Sequence, residues 1–373
     1  MTSIAHPVLR GQPATRTVSR RAIPGTATGA SWLLLALVTV LNMIGLVMVM
    51  SASSVVSVRS SGMPWTYFQR QIVWTVIGSA GLVVALSVSM DFWRRHARLF
   101  LFGSVAALVA VIIPGVGVTA NGATRWLGVG PVQVQPPECA KFALPLCVVD
   151  LLARREHRIS DWRWGLAPVL AYLGLVAGLI MLQPNLGTTI IIATTTLAVL
   201  WAAGNPFGTL AAAGGVLGAV GAGFVAFTPF RRARYLVFLD PMKAPYGDGL
   251  QNVQSMGAMA NGGLLGRGLG RSTVKWGYLP YAWTDFVFAV IGEEFGMLGA
   301  MTVVLLFVAF AAVGAYIASQ AADRFSMLVA VGITAWISVQ ALMNMAAVVG
   351  LMPITGIPLP FISFGGWSML VTL

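Results

Sequence analysis

The sequence predicts an all-α polytopic membrane protein of about ten transmembrane helices, with a large extracytoplasmic loop between helices 7 and 8. Three observations predict it. Hydrophobic residues make up 57% of the chain and charged residues only 9%, against about 25% charged in a soluble domain. Apolar windows of about 20 residues recur, long enough to cross a bilayer as helices and lacking the alternation of barrel strands. The arginines cluster between these windows, where they set orientation.

Residues 1–30 are polar and carry Arg10, Arg16, Arg20 and Arg21. They read as a disordered, basic cytoplasmic tail. Residues 31–50 follow as the first span, longer than the ~7–15 apolar residues of a cleaved signal peptide. Further spans fall near 71–90, 99–114, 138–153, 165–182, 186–203, 207–228, 286–318, 325–350 and 362 onward. The last run, about a dozen residues, is too short for a ~30 Å core, so it reads as an incomplete helix. Residues 31–373 form one membrane domain. Arg94, Arg95 and Arg98 in one connector, and Arg154, Arg155, Arg158 and Arg163 in another, join the tail in placing the N-terminus in the cytoplasm. The loop 229–284 then lies outside.

Some chemistry is excluded at once. The net charge is +12, but no zinc-finger spacing or aromatic-basic RNA motif accompanies it. Anionic lipid, not nucleic acid, is the expected partner. Cys139 and Cys147 share one apolar segment, roughly 12 Å apart along a helix, too far for a disulfide. His6, His96 and His157 all fall in connectors, which argues against a histidine-based site or metal cluster.

The loop 229–284 carries Arg231, Arg232, Arg234, Lys243, Arg267, Arg271 and Lys275 against Asp240 and Asp248. Such charge on the outer side opposes the positive-inside bias. Either the loop's length carries it across, or an anionic ligand needs it. A short interfacial helix is expected at 248–260. Gly262, Gly263, Gly266, Gly268 and Gly270 follow, either a phosphate cradle or a flexible surface loop.

The 11 acidic residues can be taken singly. Asp91, Asp150, Glu156, Asp161 and Asp323 sit beside arginines and read as solvated. Glu138 and Lys141, three apart on one helical face, read as a buried salt bridge lining a cavity. Glu293 and Glu294 are adjacent, so they should point in different directions, in interior hydrogen-bonded roles. Asp285 is the catalytic candidate. It opens an apolar helix at the outer membrane boundary, where the helix dipole favours its ionised form. The cationic, glycine-rich loop precedes it, and Trp276, Tyr278, Tyr281 and Trp283 lie close by in sequence. These aromatics are interfacial anchors or stacking surfaces for sugar rings.

The string GYLPYAWTDFVFAVIGEEFG resembles the signature of the FtsW/RodA/SpoVE family, the SEDS proteins of shape, elongation, division and sporulation. GLVMVMSASS, NGATRWLGVGPVQVQPPECAKFAL at 121–144, QPNLGTT at 183–189, FLDP at 238–241, NGGLLGRGLGRS at 261–272 and PLPFISFGG at 358–366 agree in order. IGEE at 291–294 is nearer to the FtsW branch. The resemblance implies a ten-helix peptidoglycan glycosyltransferase of the bacterial cytoplasmic membrane, serving division or cell shape. It would polymerise lipid II at the outer face beside a class B penicillin-binding protein, a transpeptidase. It implies that Asp285 is the essential acidic residue and that Glu138 and Lys141 form the cavity salt bridge.

The residues suit that reaction. Joining a sugar 4-hydroxyl to C1 of another disaccharide expels undecaprenyl pyrophosphate. This leaving group demands no general acid, unlike a glycosidase with its two carboxylates. One base, Asp285, and cations drawn from Arg231, Arg232, Arg234, Arg267, Arg271 and Lys275 suffice. A divalent cation, magnesium or manganese, is compatible, although no ligand cluster is visible. The chain departs from the family at Tyr281 and Trp283, where Glu and His are usual. Asn185, Pro137 and Trp367 are further departures. Two other functions therefore stand beside the enzyme: a non-catalytic scaffold that activates a penicillin-binding protein, and a lipid II flippase.

Overall fold

A computed structural model describes residues 29–373 except 121, 122, 130, 131, 160 and 248. The expected basic tail, apart from its last two positions, and Asp248 lie outside the described residues, as do the side chains of Arg231 and Arg234. The chain is mostly helical. In order run α1 (Gly29–Ser61), α2 (Thr66–Ser87) and α3 (Met90–Ile112), then β1 (Gly117–Ala120), β2 (Ala123–Val129) and β3 (Val132–Val134). Next come α4 (Pro136–Arg154), α5 (Leu166–Leu182), α6 (Leu186–Ala202), α7 (Phe207–Phe227), α8 (Pro229–Leu239) and α9 (Leu250–Gly262). The chain closes with α10 (Val287–Ser319), α11 (Arg324–Val348) and α12 (Gly366–Thr372).

Each expected apolar window falls on a helix. Six described helices, α1, α2, α3, α7, α10 and α11, are long and apolar enough to cross a membrane, and α5 and α6 are shorter apolar helices. The described loop 229–284 is more ordered than expected: α8 occupies its start, and α9 fills the place of the interfacial helix. Three strands between α3 and α4 were not expected. They form an antiparallel sheet in the order β1-β2-β3. Arg125 of β2 anchors it, donating to the carbonyls of Gln183 (3.0 Å) and Pro184 (2.6 Å) at the α5–α6 turn.

Two apolar cores meet along α11. One gathers α1, α10, α11 and the segment around Ile357–Ile362; the other gathers α3, α4, α5 and α6 with Phe325 and Leu328 of α11. Helix α4 is buried on nearly every side, so its polar residues need partners within the protein. Asp150 shows this and corrects the expectation that it is solvated. It is 1% exposed, and its carboxylate accepts from Arg154 (2.8 Å) and Arg94 (3.4 Å). Arg94 lies on α3 because that helix starts well before its apolar run. Cys139 and Cys147 are free, as their spacing required.

Candidate active site

A turn delivers Asp285. Tyr281 sits at φ 60°, a backbone region that bulky side chains rarely enter. Its carbonyl accepts from the amides of Thr284 (3.1 Å) and Phe286 (3.4 Å) and from the Thr284 hydroxyl (3.2 Å). Helix α10 then begins just beyond Asp285, so the carboxylate stands before a helix N-terminus, as the sequence implied. Asp285 is half-buried.

Helix α11 holds the turn from the other side. Asn344, 3% exposed, donates through Nδ2 to the carbonyls of Asp285 (2.8 Å) and Ile357 (2.7 Å). Gly356 lies opposite the carboxylate at φ 66°, and a Cβ there would sit 3.7 Å from Asp285 Oδ2. Asp285, Asn344, Thr355, Gly356 and Ile357 help to line a cleft with about 190 Å³ of empty space.

The glycine cluster is tied down by backbone contacts rather than loose. Helix α10 breaks at Gly296 (φ 68°, ψ −164°), which frees backbone groups on both sides of the break. The loop takes them up. Arg267 and Gly268 amides donate to the carbonyls of Glu293 (3.0 Å) and Glu294 (2.9 Å), and Met297 and Leu298 amides donate to Gly263 (2.8 Å) and Leu264 (3.2 Å). A Cβ at Gly262 would run into the carbonyl of Gly292, and one at Gly266 into that of Glu294. Gly262 and Gly266 are there for this backbone-to-backbone approach.

Glu293 and Glu294 reach the same loop, where different directions were expected. Glu293 accepts from the hydroxyls of Ser272 (2.6 Å) and Thr273 (2.5 Å), the Thr273 amide (3.1 Å) and Arg267 (3.2 Å). Glu294 accepts from Ser51 of α1 (2.7 Å), the Ser272 amide (3.3 Å) and Lys275 (3.5 Å). Both carboxylates are buried. The interior hydrogen-bonded roles expected of them are what the geometry gives.

These contacts sort the expected cations. Lys275 is 6% exposed, with Nζ turned to Glu294, Ser51 and the carbonyl of Gly270. That environment gives it a structural place rather than an open ligand position. Arg267 is partly exposed but paired with Glu293. Arg271 is exposed and makes no ion pair among the described residues. Arg232 is exposed on α8, which packs on α7 and the turn Pro241–Lys243.

Glu138 and Lys141 do form the buried pair, at 2.8 Å. Lys141 also donates to Gln340 Oε1 (2.7 Å), which accepts from Trp336 Nε1 (3.0 Å), while Gln340 Nε2 donates to the Pro358 carbonyl (2.9 Å). Gln340 and Asn344 lie one turn apart on α11 and grip neighbouring carbonyls of one segment. The pair and Asp285 thus share a scaffold. Sequence reasoning missed both residues, and the only signal was two amides at a spacing of four in an apolar helix. Among the described residues, no group of three or more His, Cys, Asp or Glu side chains could hold a metal ion.

Residues 31–373 match the family model FtsW/RodA/SpoVE, described as cell cycle protein. The chain is 38% identical to the probable peptidoglycan glycosyltransferase FtsW of Mycobacterium tuberculosis, over 91% of this chain and 65% of that protein. It therefore spans about two thirds of the length of that relative. It is 37% identical to stage V sporulation protein E of Bacillus subtilis, over 91% of this chain and 93% of that protein. Among solved structures it is similar to a chain of a peptidoglycan synthase complex, with TM-score 0.75 and 27% identity, covering 91% of this chain and 94% of that one. It also resembles the rod shape determining protein RodA of Thermus thermophilus, with TM-score 0.68 and 25% identity, covering 91% and 92%. With six helices apolar enough to span a bilayer and a family match over nearly its whole length, the chain is a multi-pass bacterial membrane protein and belongs to the FtsW/RodA/SpoVE family.

Proposed function

We propose that this chain is a peptidoglycan glycosyltransferase that polymerises lipid II at the outer face of the cytoplasmic membrane. The observation that carries the reading is Asp285: a half-buried carboxylate in a narrow cleft, fixed by a strained turn on one side and by Asn344 on the other. The relatives named as probable peptidoglycan glycosyltransferases support it. Asp285 takes the proton of the attacking sugar 4-hydroxyl as that oxygen bonds to C1 of the donor. The C1–O bond to undecaprenyl pyrophosphate breaks, and the leaving diphosphate carries its charge away. Arg271, exposed and without an ion pair among the described residues, is our candidate cation to meet that charge. Arg231, Arg232 and Arg234 of α8 are further candidate cations for the same lipid. A divalent cation, magnesium or manganese, held by Asp285 and the substrate diphosphate is compatible with this chemistry, and no step here runs through one.

In this reading ten helices cross the membrane: α1 to α7, α10, α11 and α12. The N-terminus is cytoplasmic, the residues before α1 form a disordered tail, and 229–284 lies outside. The partner is a class B penicillin-binding protein. The test is labelled lipid II in proteoliposomes containing the full chain with and without that partner. Glycan polymer is the expected product. Lipid II that crosses the bilayer without polymer would make the chain a flippase. Partner activation with neither product would make it a scaffold.

A further inference from the structure

Asn344 has a use left over after its structural work is counted. Both Nδ2 hydrogens are taken by carbonyls, those of Asp285 and Ile357. Carbonyls only accept, so the amide cannot be turned over without setting its oxygen against both of them. That fixes where Oδ1 points. Oδ1 is buried and has no donor among the described residues, and the residue is 3% exposed. Of the residues that carry a buried polar atom in that condition, Asn344 is the one that helps to line the cleft holding Asp285. Leaving an acceptor buried and unmet is costly, and such a group in a native fold calls for a donor from elsewhere.

We infer that Asn344 Oδ1 is a substrate-binding acceptor that fixes the incoming sugar. It accepts a hydrogen bond from a hydroxyl flanking the one that reacts. The inference rests on the glycosyltransferase reading and assigns a residue within that site. One O–H hydrogen cannot serve two acceptors. If the 4-hydroxyl gives its proton to Asp285, the donor to Asn344 is another group on the same ring edge. The 3-hydroxyl and the 6-hydroxyl flank position 4 on the ring. Two acceptors on one rigid frame then orient the ring. Asp285 meets the reacting oxygen and Asn344 its neighbour, and the same amide ties the two together through the Asp285 carbonyl. A site built to pair a hydroxyl rejects an analogue lacking it more strongly than an apolar pocket rejects a change of size.

The experiment is a single-coupling assay with the full chain in proteoliposomes. Labelled lipid II serves as donor, and the acceptors are the natural sugar and its 3-deoxy and 6-deoxy analogues. One of the two analogues should couple about 10- to 100-fold more slowly than the natural acceptor. Which one identifies the hydroxyl. In Asn344→Leu that difference should shrink to within about threefold, whatever the variant's overall rate. If Asn344→Leu does not fold, Asn344→Ala takes its place in the same comparison, with the same two outcomes. Wild type that couples all three acceptors equally overturns the inference and leaves the polymerase reading standing. Wild type that forms no polymer from natural lipid II overturns both. A deoxy penalty that persists unchanged in Asn344→Leu assigns the hydroxyl to another residue and also overturns it.

Discussion

Lys141 donates to Gln340 at 2.7 Å inside the bundle, while the same lysine holds Glu138 at 2.8 Å. Helix α4 is thereby tied to α11, and through Gln340 to the Pro358 carbonyl. The salt bridge tethers the segment that faces Asp285.

A buried pair of this kind makes a clear prediction. Removing one member strands the other charge, which costs about 3–5 kcal/mol; removing both with apolar replacements costs far less. Glu138→Met and Lys141→Met should each lower the unfolding midpoint in detergent markedly. The double variant should recover much of the loss. Thermal unfolding followed by tryptophan fluorescence measures this, and a double variant no better than the worse single would contradict it.

The glycines separate into two kinds. Gly266, at φ 80° and against the Glu294 carbonyl, admits no side chain, whereas Gly208 of α7 has open space around its Cβ position. Gly266→Ala should break the seam that closes the α10 kink and abolish a folded product. Gly208→Ala should be tolerated, since alanine favours a helix over glycine by about 1 kcal/mol. Size-exclusion profiles of the two purified variants distinguish them.

The loop cations should divide by burial. Lys275→Ala removes the interior partner of Glu294 and should reduce stability by on the order of 3 kcal/mol. Arg271→Ala touches no described ion pair, so the unfolding midpoint should stay within a few degrees. Its effect should appear as weaker use of lipid II, with KM rising about tenfold. Equal stability losses in both variants would remove Arg271 from its proposed place.

Much of this was legible in the sequence, for physical reasons. Apolar windows of spanning length fell on helices because burial in lipid leaves few alternatives to a helix. Glu138 and Lys141 were readable as a pair because a spacing of three shares a face. Asp285 stood out because carboxylates are scarce here. The clamp between the glycine loop and the broken α10 was not legible, since it is made of backbone groups brought together by tertiary structure. Asn344 and Gln340 were hidden because an amide in an apolar helix gives no sign of which carbonyls it will meet. Asp150 was misread because Arg94 reaches it from another helix.

The central claim is that Asp285 is the base. The direct measurement is the lipid II polymerisation rate of Asp285→Asn beside wild type, with unfolding midpoints taken on the same preparations. The substitution keeps the side chain's shape and removes its basicity. The account predicts a rate at least about a hundredfold lower at an unfolding midpoint within a few degrees of wild type. Polymer formed at the wild-type rate by the folded variant would contradict it.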